Sequence, residues 1–303
     1  MKRKDFIKNS IYGSAGIGLA INNLSCKSDL SKKITILHTN DVHSHIEPFS
    51  SDHSEFPNKG GFERRSTLIN DIRKHNPDTL LFDAGDIFQG TPYFNFYGGE
   101  IEFKLMSMLK YDAATIGNHD FDNGIGGLNS QLPNASFDLI SSNYDFTNTI
   151  LETKTKEYKT YNKSGIKIGV FGLGIELEGL VSKDLYKETK YISPVEITDD
   201  ITSKLKNEEN CDLIICLSHL GYKYDNAPNK ICDLTLAKQT KDIDLIIGGH
   251  THTFMNQPKV VKNKTDKNVL INQVGCFGLF LGKVDFFFDQ KNNKSFNSSL
   301  VMI

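Results

Sequence analysis

Residues 111–124 read YDAATIGNHDFDNG. A short β-prone run meets a turn that packs one imidazole, two carboxylates and two carboxamides between Gly117 and Gly124. A turn alone needs only Gly and an Asn or Asp that tolerates φ > 0 or bonds its own backbone. A calcium loop would need Gly at its sixth place and Glu at its twelfth. Counted from Asp120 those places hold Ile125 and Gln131, and from Asn118 they hold Asn123 and Asn129, so neither register fits. What the turn is for depends on what the other strand ends carry.

Outward from this stretch the same pattern recurs. KKITILHTND is a β-branched run that stops at polar residues, and DTLLFDAGD runs into a glycine turn. FDLISSN is a further short strand, CDLIICLSHLG and IDLIIGGHTHT are two more, and YDAATIGNHD is a strand entering the opening turn. Between them FERRSTLINDIRKH, EIEFKLMSMLK, PVEITDDITSKLKN and KICDLTLAKQT read as helices, the first ending before Pro77. EYKTYNKSGIKIGVFGLG reads as a hairpin turning at Asn162–Gly165, and strands dominate from Lys259 to Phe288. Strand–helix alternation followed by a strand-rich end predicts an α/β protein with two packed sheets. No repeat or composition break divides residues 32–303, which are expected to form one catalytic domain.

Five strand ends carry metal- or proton-capable groups: Asp41 and His43, Asp86, Asn118 and His119, His219, and His250 and His252. Residues i and i+2 of an extended chain point to one side, so Asp41/His43 and His250/His252 each offer two ligand atoms to one region. A mixed imidazole, carboxylate and carboxamide set suits Zn²⁺, Mn²⁺ or Fe and is too nitrogen-rich for Ca²⁺. Seven ligands are too many for one tetrahedral ion and suit two ions that share a carboxylate. One His at a strand end is more often a structural group; five such ends in one chain reverse that balance.

In this order D-x-H, G-D, G-N-H-[DE], a later His and G-H-x-H resemble the signature of the metallophosphoesterases. ILHTNDVHSHIEP, GDIFQGTP, GNHDFDNG and GGHTHT narrow the resemblance to the catalytic domain of the 5′-nucleotidase branch, which includes UDP-sugar hydrolases and 2′,3′-cyclic-nucleotide phosphodiesterases. The resemblance implies a four-layer α/β/β/α sandwich and two divalent ions, Zn, Mn or Fe, with Mg also admissible. It implies that Asp41, His43, Asp86 and His252 hold one ion and that Asp86, Asn118, His219 and His250 hold the other, with Asp86 as the bridge. It also implies that His119 is not a ligand but pairs with Asp122 as a catalytic dyad, Asn118 and His119 lying against the substrate phosphate. The implied substrate is a phosphoester, a nucleotide first; a cyclic nucleotide or a nucleotide sugar is the alternative. A non-catalytic metal-binding lipoprotein is the reading from another class, and the dyad argues against it, because metal binding alone needs neither residue.

The bulk properties agree with a globular enzyme. A net charge of −2 over 303 residues excludes a nucleic-acid binder driven by phosphate neutralisation. The N-terminus, residues 1–25, reads as an export signal: MKRKDFIKNS is basic, and IYGSAGIGLAI is apolar but too short to span a membrane comfortably. RKDFIK resembles a twin-arginine motif with Lys in one Arg place, and LSC resembles the end of a lipobox. Cys26 is therefore expected to carry a lipid anchor, with residues 26–31 as a tether and the protein periplasmic or in the cell envelope. Cys211, Cys216, Cys232 and Cys276 read as buried small hydrophobes, Cys211 and Cys216 on opposite faces of one strand. Asp120 has no assigned role and is expected to face solvent. His38, His45, His53 and His75 are expected to be surface or core groups, and Gln89 is a candidate to face the substrate. Nucleotidases of the resembled branch usually continue into a second domain that supplies base-stacking aromatics and Arg. No such module follows before Ile303, and Arg64, Arg65 and Arg73 are the only Arg after the export segment. A separately encoded nucleotide-binding partner is the expectation that follows.

Overall fold

The structure, a computed structural model, describes residues 32–227 and 229–303. The expected export signal, the tether and the lipid attachment at Cys26 lie outside the described residues.

The apolar runs become strands at the expected places: β1 (Lys32–Thr39), β2 (Thr79–Asp83), β3 (Ala113–Ala114), β4 (Asp138–Leu139), β5 (Tyr144–Asp145), β6 (Tyr158–Lys163), β7 (Ile166–Leu173), β8 (Lys190–Tyr191), β9 (Leu213–Ser218), β10 (Leu245–Gly248), β11 (Lys259–Lys262), β12 (Asn268–Asn272), β13 (Phe280–Phe288) and β14 (Lys294–Met302). Twelve of them form two six-stranded sheets, and β5 and β8 pair antiparallel in a small sheet of their own. The first runs β14-β13-β1-β2-β3-β4 and the second β11-β12-β10-β9-β7-β6. In the first, β1 to β4 are parallel and β13 and β14 close one edge antiparallel. In the second, β7, β9, β10 and β12 are parallel, with antiparallel β6 and β11 at the two edges.

The period of two along the strands sorts side chains into layers. Ile34, Ile36, Leu80 and Phe82 of the first sheet meet Leu213, Ile215, Leu217, Leu245 and Ile247 of the second in one buried layer. The alternate residues Leu37 and Leu81 face outward under the helices Phe62–His75 and Glu100–Met108, against Ile69, Phe103 and Met106. Ile214, Cys216 and Ile246 face outward on the other side, under the helices Pro194–Ser203 and Asp233–Gln239, against Ile201, Leu236 and Ala237. The order is helix, sheet, sheet, helix, which is the four-layer sandwich. Strands buried on both faces explain why their sequences read as continuous apolar runs rather than alternating ones.

Several elements differ from the sequence reading. The run before Gly117 supplies only two strand residues, because Ala113 and Ala114 alone pair with β2 and β4. The helical reading of PVEITDDITSKLKN splits at Ser203, after which Lys204–Glu208 winds as a π-helix. β14 lies beyond the expected strand region; it is an edge strand whose residues are mostly exposed, so it carries little apolar signal. Cys211 and Cys216 are both buried in the same outer layer rather than on opposite faces. Cys211 precedes β9 and its N–H donates to the Leu205 carbonyl, so strand alternation does not relate the two. All four described cysteines are free thiols.

Candidate metal centre

β1, β2, β3, β9 and β10 all end at one edge of the sandwich, and the polar turns that follow them converge there. In open α/β sheets the carboxyl ends of parallel strands are where ligands bind. Backbone hydrogen bonds lock these turns together: Asp41 N–H to Gly85 O at 2.9 Å, His43 N–H to Asp86 O at 3.0 Å and His219 N–H to Leu173 O at 2.7 Å.

The turns are strained where the candidate residues sit. Asp41, His43, Asp86, His250 and His252 all have φ between 48° and 70°. Left-handed backbone at non-glycine residues costs on the order of 1–3 kcal/mol each and gathers at functional sites. Glycines permit the close approach. A Cβ on Gly117 would stand 2.2 Å from Asp86 Oδ1, and one on Gly249 would stand 2.8 Å from the Ala84 carbonyl oxygen.

Two groups of ligand-capable atoms result: Asp41, His43 and His252, and Asp86, His219 and His250, the atoms of each lying within 4.8 Å of one another. Asn118 joins the second, its Oδ1 2.8 Å from His250 Nδ1. Asp86 reaches both, since its Oδ2 is 3.0 Å from His219 Nε2 and 3.8 Å from His43 Nε2. Each group draws on both sheets, because Asp41, His43, Asp86 and Asn118 follow strands of the first and His219, His250 and His252 follow strands of the second.

Ring orientation is fixed from behind. His219 Nδ1 lies 2.7 Å from the Ala84 carbonyl, and His43 Nδ1 lies 3.3 Å from the Phe88 carbonyl. A carbonyl only accepts, so both rings carry a proton on Nδ1 and turn Nε2 toward the centre, as ligating imidazoles do. The fully buried His219 Nε2 then faces a carboxylate oxygen without the geometry of a hydrogen bond. His43 Nε2 and His252 Nε2 stand 3.1 Å apart, and His252 Nε2 is 3.3 Å from Asp41 Oδ1. Bonds of about 2.0–2.1 Å to one cation put neighbouring ligand atoms roughly 2.9–3.4 Å apart. These separations and the orphaned nitrogen are what shared cations require, so the residues fit two divalent ions.

The charges agree. Burial pushes the Asp86 carboxyl up, but His219, His43 and His119 outweigh it and hold it well below the usual carboxylate range. Burial lowers His219, but Asp86 and Asp41 raise it further, to about 10, so without an ion it is an imidazolium beside Asp86 and would give up its Nε2 proton to take a cation. Burial and the neighbouring His219 lower His250 to about 4, and burial lowers His43, so these two present neutral lone pairs.

His119 stands apart from the ligand atoms. Its Nδ1 is 2.9 Å from Asp122 Oδ2, and its ring centroid lies 5.3 Å from that of His43. The Asp122 hydrogen bond raises its pKa, against the opposing effect of burial. Its backbone N–H donates to Asp86 Oδ1 at 2.8 Å, which couples the dyad's position to the central carboxylate.

Asp120 corrects the sequence reading. It is buried, not solvent-facing, and accepts four backbone N–H bonds, from Gly117 (2.8 Å), Asp86 (3.1 Å), Ile87 (2.9 Å) and Phe88 (3.1 Å). It ties the Asp86 turn to the Asn118 turn. Glu102 was missed for a similar reason. It reads as one charge of a helix, yet it is buried and receives the Ser44 hydroxyl behind the Asp41–His43 turn. Asp233 is buried behind His219, receiving the Ser218 hydroxyl. His38 is a core residue whose burial lowers its pKa to about 3, and its Nε2 meets the Asn272 amide at 2.9 Å. His45 and His53 are half-buried, His75 is exposed, and Gln89 is exposed at φ 67°. Arg65 is buried, Arg64 binds the carbonyls of Asn58 and Gly60, and Arg73 binds those of Leu109 and Lys110, so all three serve the scaffold.

Comparison with known proteins agrees with this geometry. The profile of the calcineurin-like phosphoesterase family matches residues 34–254. The chain is 33% identical over 293 residues to a snake venom 5′-nucleotidase of Crotalus adamanteus, covering 87% of this chain and 46% of that protein. It is 33% identical over 289 residues to the 5′-nucleotidase of Bos taurus, covering 86% of this chain and 47% of that one. The crystal structure of a 5′-nucleotidase precursor from Thermus thermophilus superposes with a TM-score of 0.81 at 31% identity, over 90% of this chain and 55% of that one. The chain spans about half the length of these relatives. It belongs to the calcineurin-like phosphoesterase family.

Proposed function

We propose that this member of the calcineurin-like phosphoesterases hydrolyses phosphoesters at a two-metal centre, with nucleotides as the first substrate class. The observation that carries the reading is the pair of convergent ligand groups joined by Asp86, with the His119–Asp122 pair beside them and outside the ligand set. Asp41, His43, Asp86 and His252 would hold one ion, and Asp86, Asn118, His219 and His250 the other. The donor set favours Zn, Mn or Fe and admits Mg. Bound there, divalent ions would supply positive charge to the phosphoryl oxygens and lower the pKa of a water.

The chain's own residues do the rest. Asp86 and Asp41 concentrate negative charge beneath the centre. Asn118 adds a neutral oxygen, which avoids a further repulsion of the substrate phosphate. His119, held in one tautomer by Asp122, keeps its proton on the ring and presents Nε2 away from the aspartate. From there it stabilises charge building on the phosphoryl group and can protonate the leaving oxygen. A purely metal-storing protein has no use for this pair.

Recognition of a base would fall to a nucleotide-binding module, on this polypeptide or on a separate one, since the described Arg residues are engaged with the scaffold. Export to the periplasm or envelope, with a lipid at Cys26, is part of the same proposal and rests on the sequence of residues 1–31. The test is a metal-supplemented assay with p-nitrophenyl phosphate, followed by AMP, a 2′,3′-cyclic nucleotide and a nucleotide sugar. Hydrolysis with preference for the monoesters supports the reading. Preference for the diesters replaces nucleotidase by phosphodiesterase. No turnover of any of them by metal-loaded protein refutes the enzyme.

A further inference from the structure

Phe277 occupies a place in the fold that its residue type makes expensive. Its φ is 63°, in the left-handed region, and Gly275 and Gly278 on either side have φ 79° and 61°. In a turn with three left-handed residues a glycine or asparagine in the middle would be the easy choice. A bulky side chain there marks strain that the surroundings must over-determine.

The surroundings are the first ligand group. The Phe277 ring centroid lies 6.0 Å from that of His43 and 5.8 Å from that of His252, the latter edge-to-face at 72°. Its N–H donates to the Asp41 carbonyl at 2.7 Å. One residue therefore touches all three members of the group Asp41, His43 and His252. Behind it, Asn40 bonds the Val274 N–H at 3.0 Å and the Gly275 carbonyl at 2.7 Å, so the 274–277 turn and the Asp41 turn move as one. The His45 ring backs Phe277 at 4.4 Å and 36°, and Phe49 lies 6.0 Å away. No ring contact or hydrogen bond joins Phe277 to Asp86, Asn118, His219 or His250 among the described residues.

His43 and His252 present their Nε2 atoms to each other at 3.1 Å. His43 is tethered from behind only by the long 3.3 Å contact to Phe88 O, and no hydrogen bond from a described residue holds His252 Nδ1. Edge-to-face aromatic packing has a preferred angle and resists rotation of either ring.

We propose that Phe277 is a positioning residue that sets the orientation of the His43 and His252 rings for one of the two ions and leaves the other ion's ligands alone. This rests on the two-metal reading above. Strain at its backbone is offset by packing, so the ring is held rather than merely present.

The test is binding of Co²⁺ to the metal-free full chain, read by equilibrium dialysis and by the visible spectrum of the bound ion. Wild type is expected to bind two Co²⁺. Phe277→Leu keeps apolar bulk but removes the ring. It should bind one Co²⁺ with wild-type affinity and the other roughly 10–100-fold more weakly, the loss typical when a ligand's outer support is removed. Phe277→Tyr keeps the ring and should restore both. Phe277→Gly relieves the backbone and should still show the single-ion loss, which separates positioning from folding. In a His252→Ala background, Phe277→Leu should cost less than it does in wild type, because only the His43 ring is left to orient. Two Co²⁺ bound at wild-type affinity by Phe277→Leu overturns the proposal. Equal weakening of both ions, in step with a lowered melting temperature, also overturns it and reduces Phe277 to packing. Wild type that binds fewer than two ions removes the two-metal reading itself, and is told apart because it appears before any substitution.

Discussion

Replacing Asp120 tests how the site is held. Each of its oxygens accepts two backbone N–H bonds, Oδ1 from Ile87 and Phe88 and Oδ2 from Gly117 and Asp86. Four donors and no acceptor leave no place for a proton, so the group is a buried carboxylate. Burial and the neighbouring Asp86 nonetheless push its pKa up to about 7. Asp120→Ala would strand four buried donors at about 1–3 kcal/mol each, a total comparable to the whole stability of a typical domain. That variant is expected not to fold. Asp120→Asn keeps one oxygen for two donors and sets an NH₂ against the other two. Two lost bonds cost roughly 2–6 kcal/mol, and removing a buried charge returns part of that, for a net loss of about 2–4 kcal/mol. At roughly 2–4 °C per kcal/mol, melting of the metal-free chain should fall by about 5–15 °C. Because the donors belong to the Asp86 and Asn118 turns, divalent-metal affinity should fall as well. The assay is urea unfolding of metal-free protein beside equilibrium dialysis with Mn²⁺. An Asp120→Asn protein within about 0.5 kcal/mol of wild type, with unchanged metal affinity, would falsify the claim that this carboxylate fastens the two turns.

The same geometry sets three further outcomes. His119→Ala should leave metal content near wild type and lower kcat by roughly 10²–10⁴, whereas His219→Ala should lose metal and rate together; a His119→Ala protein stripped of an ion makes His119 a ligand. Asp86→Ala should reduce elemental metal content below one ion per chain, because its Oδ2 faces both groups; retention of one tightly held ion would show that it bridges nothing. Burial pushes Asp233 up to about 8, while the Ser218 hydroxyl and His219 pull it down. A folded pKa above the unfolded value favours the fold at low pH and is lost as pH rises from about 4 toward 8. Asp233→Asn should therefore gain on wild type by up to about 1.4 kcal/mol per pH unit across that window, read as urea midpoints of metal-free protein; a gap that does not change with pH refutes the buried-carboxylate argument.

What could be read in the sequence was whatever local chemistry announces. An apolar run that stops at Asp, Asn or His is visible residue by residue, and five such ends marked the side chains that the structure gathers and the sheets that carry them; the pairing of His119 with Asp122 came from the family resemblance. The helix Phe62–His75 and the turn between β6 and β7 were equally legible, one from its period and the Pro beyond it, the other from Ser164–Gly165. Asp120 could not be read this way, because an aspartate in a polar turn looks solvated until the Asp86 turn is docked over it. Phe277 looks like an ordinary residue between strands, since backbone sign is not written in a side chain. β14 was missed because an edge strand with one face toward water needs few apolar residues; the Asn-rich turn before it, closed by Asp289 bonds to Lys291 and Asn293, was the available signal.

The division of ligands between the sheets has an energetic consequence. The buried layer from Ile34 to Ile247 holds the sheets together by non-directional packing, which fixes spacing but resists sliding weakly. At the strand ends the sheets meet through directional contacts instead: Asp41 receives the His250 N–H at 2.9 Å, and Ala84 O meets His219 Nδ1 at 2.7 Å. Those contacts set the register of one sheet against the other to within a bond length. Without cations the His219–Asp86 pair is attractive, but the Asp41 and Asp86 carboxylates still face each other across the centre and the neutral His43 and His250 leave lone pairs unshared, a repulsion that works against the packing beneath. Metal binding would remove that repulsion and join the sheets through both groups, stabilising the fold by RT ln(1 + [L]/Kd), about 4 kcal/mol at a thousandfold excess over Kd. The strained backbone at Asp41, His43, Asp86, His250 and His252 would be tolerable on this account, because ions bound there would offset its cost. A centre built on one sheet alone could not return energy to the packing of both.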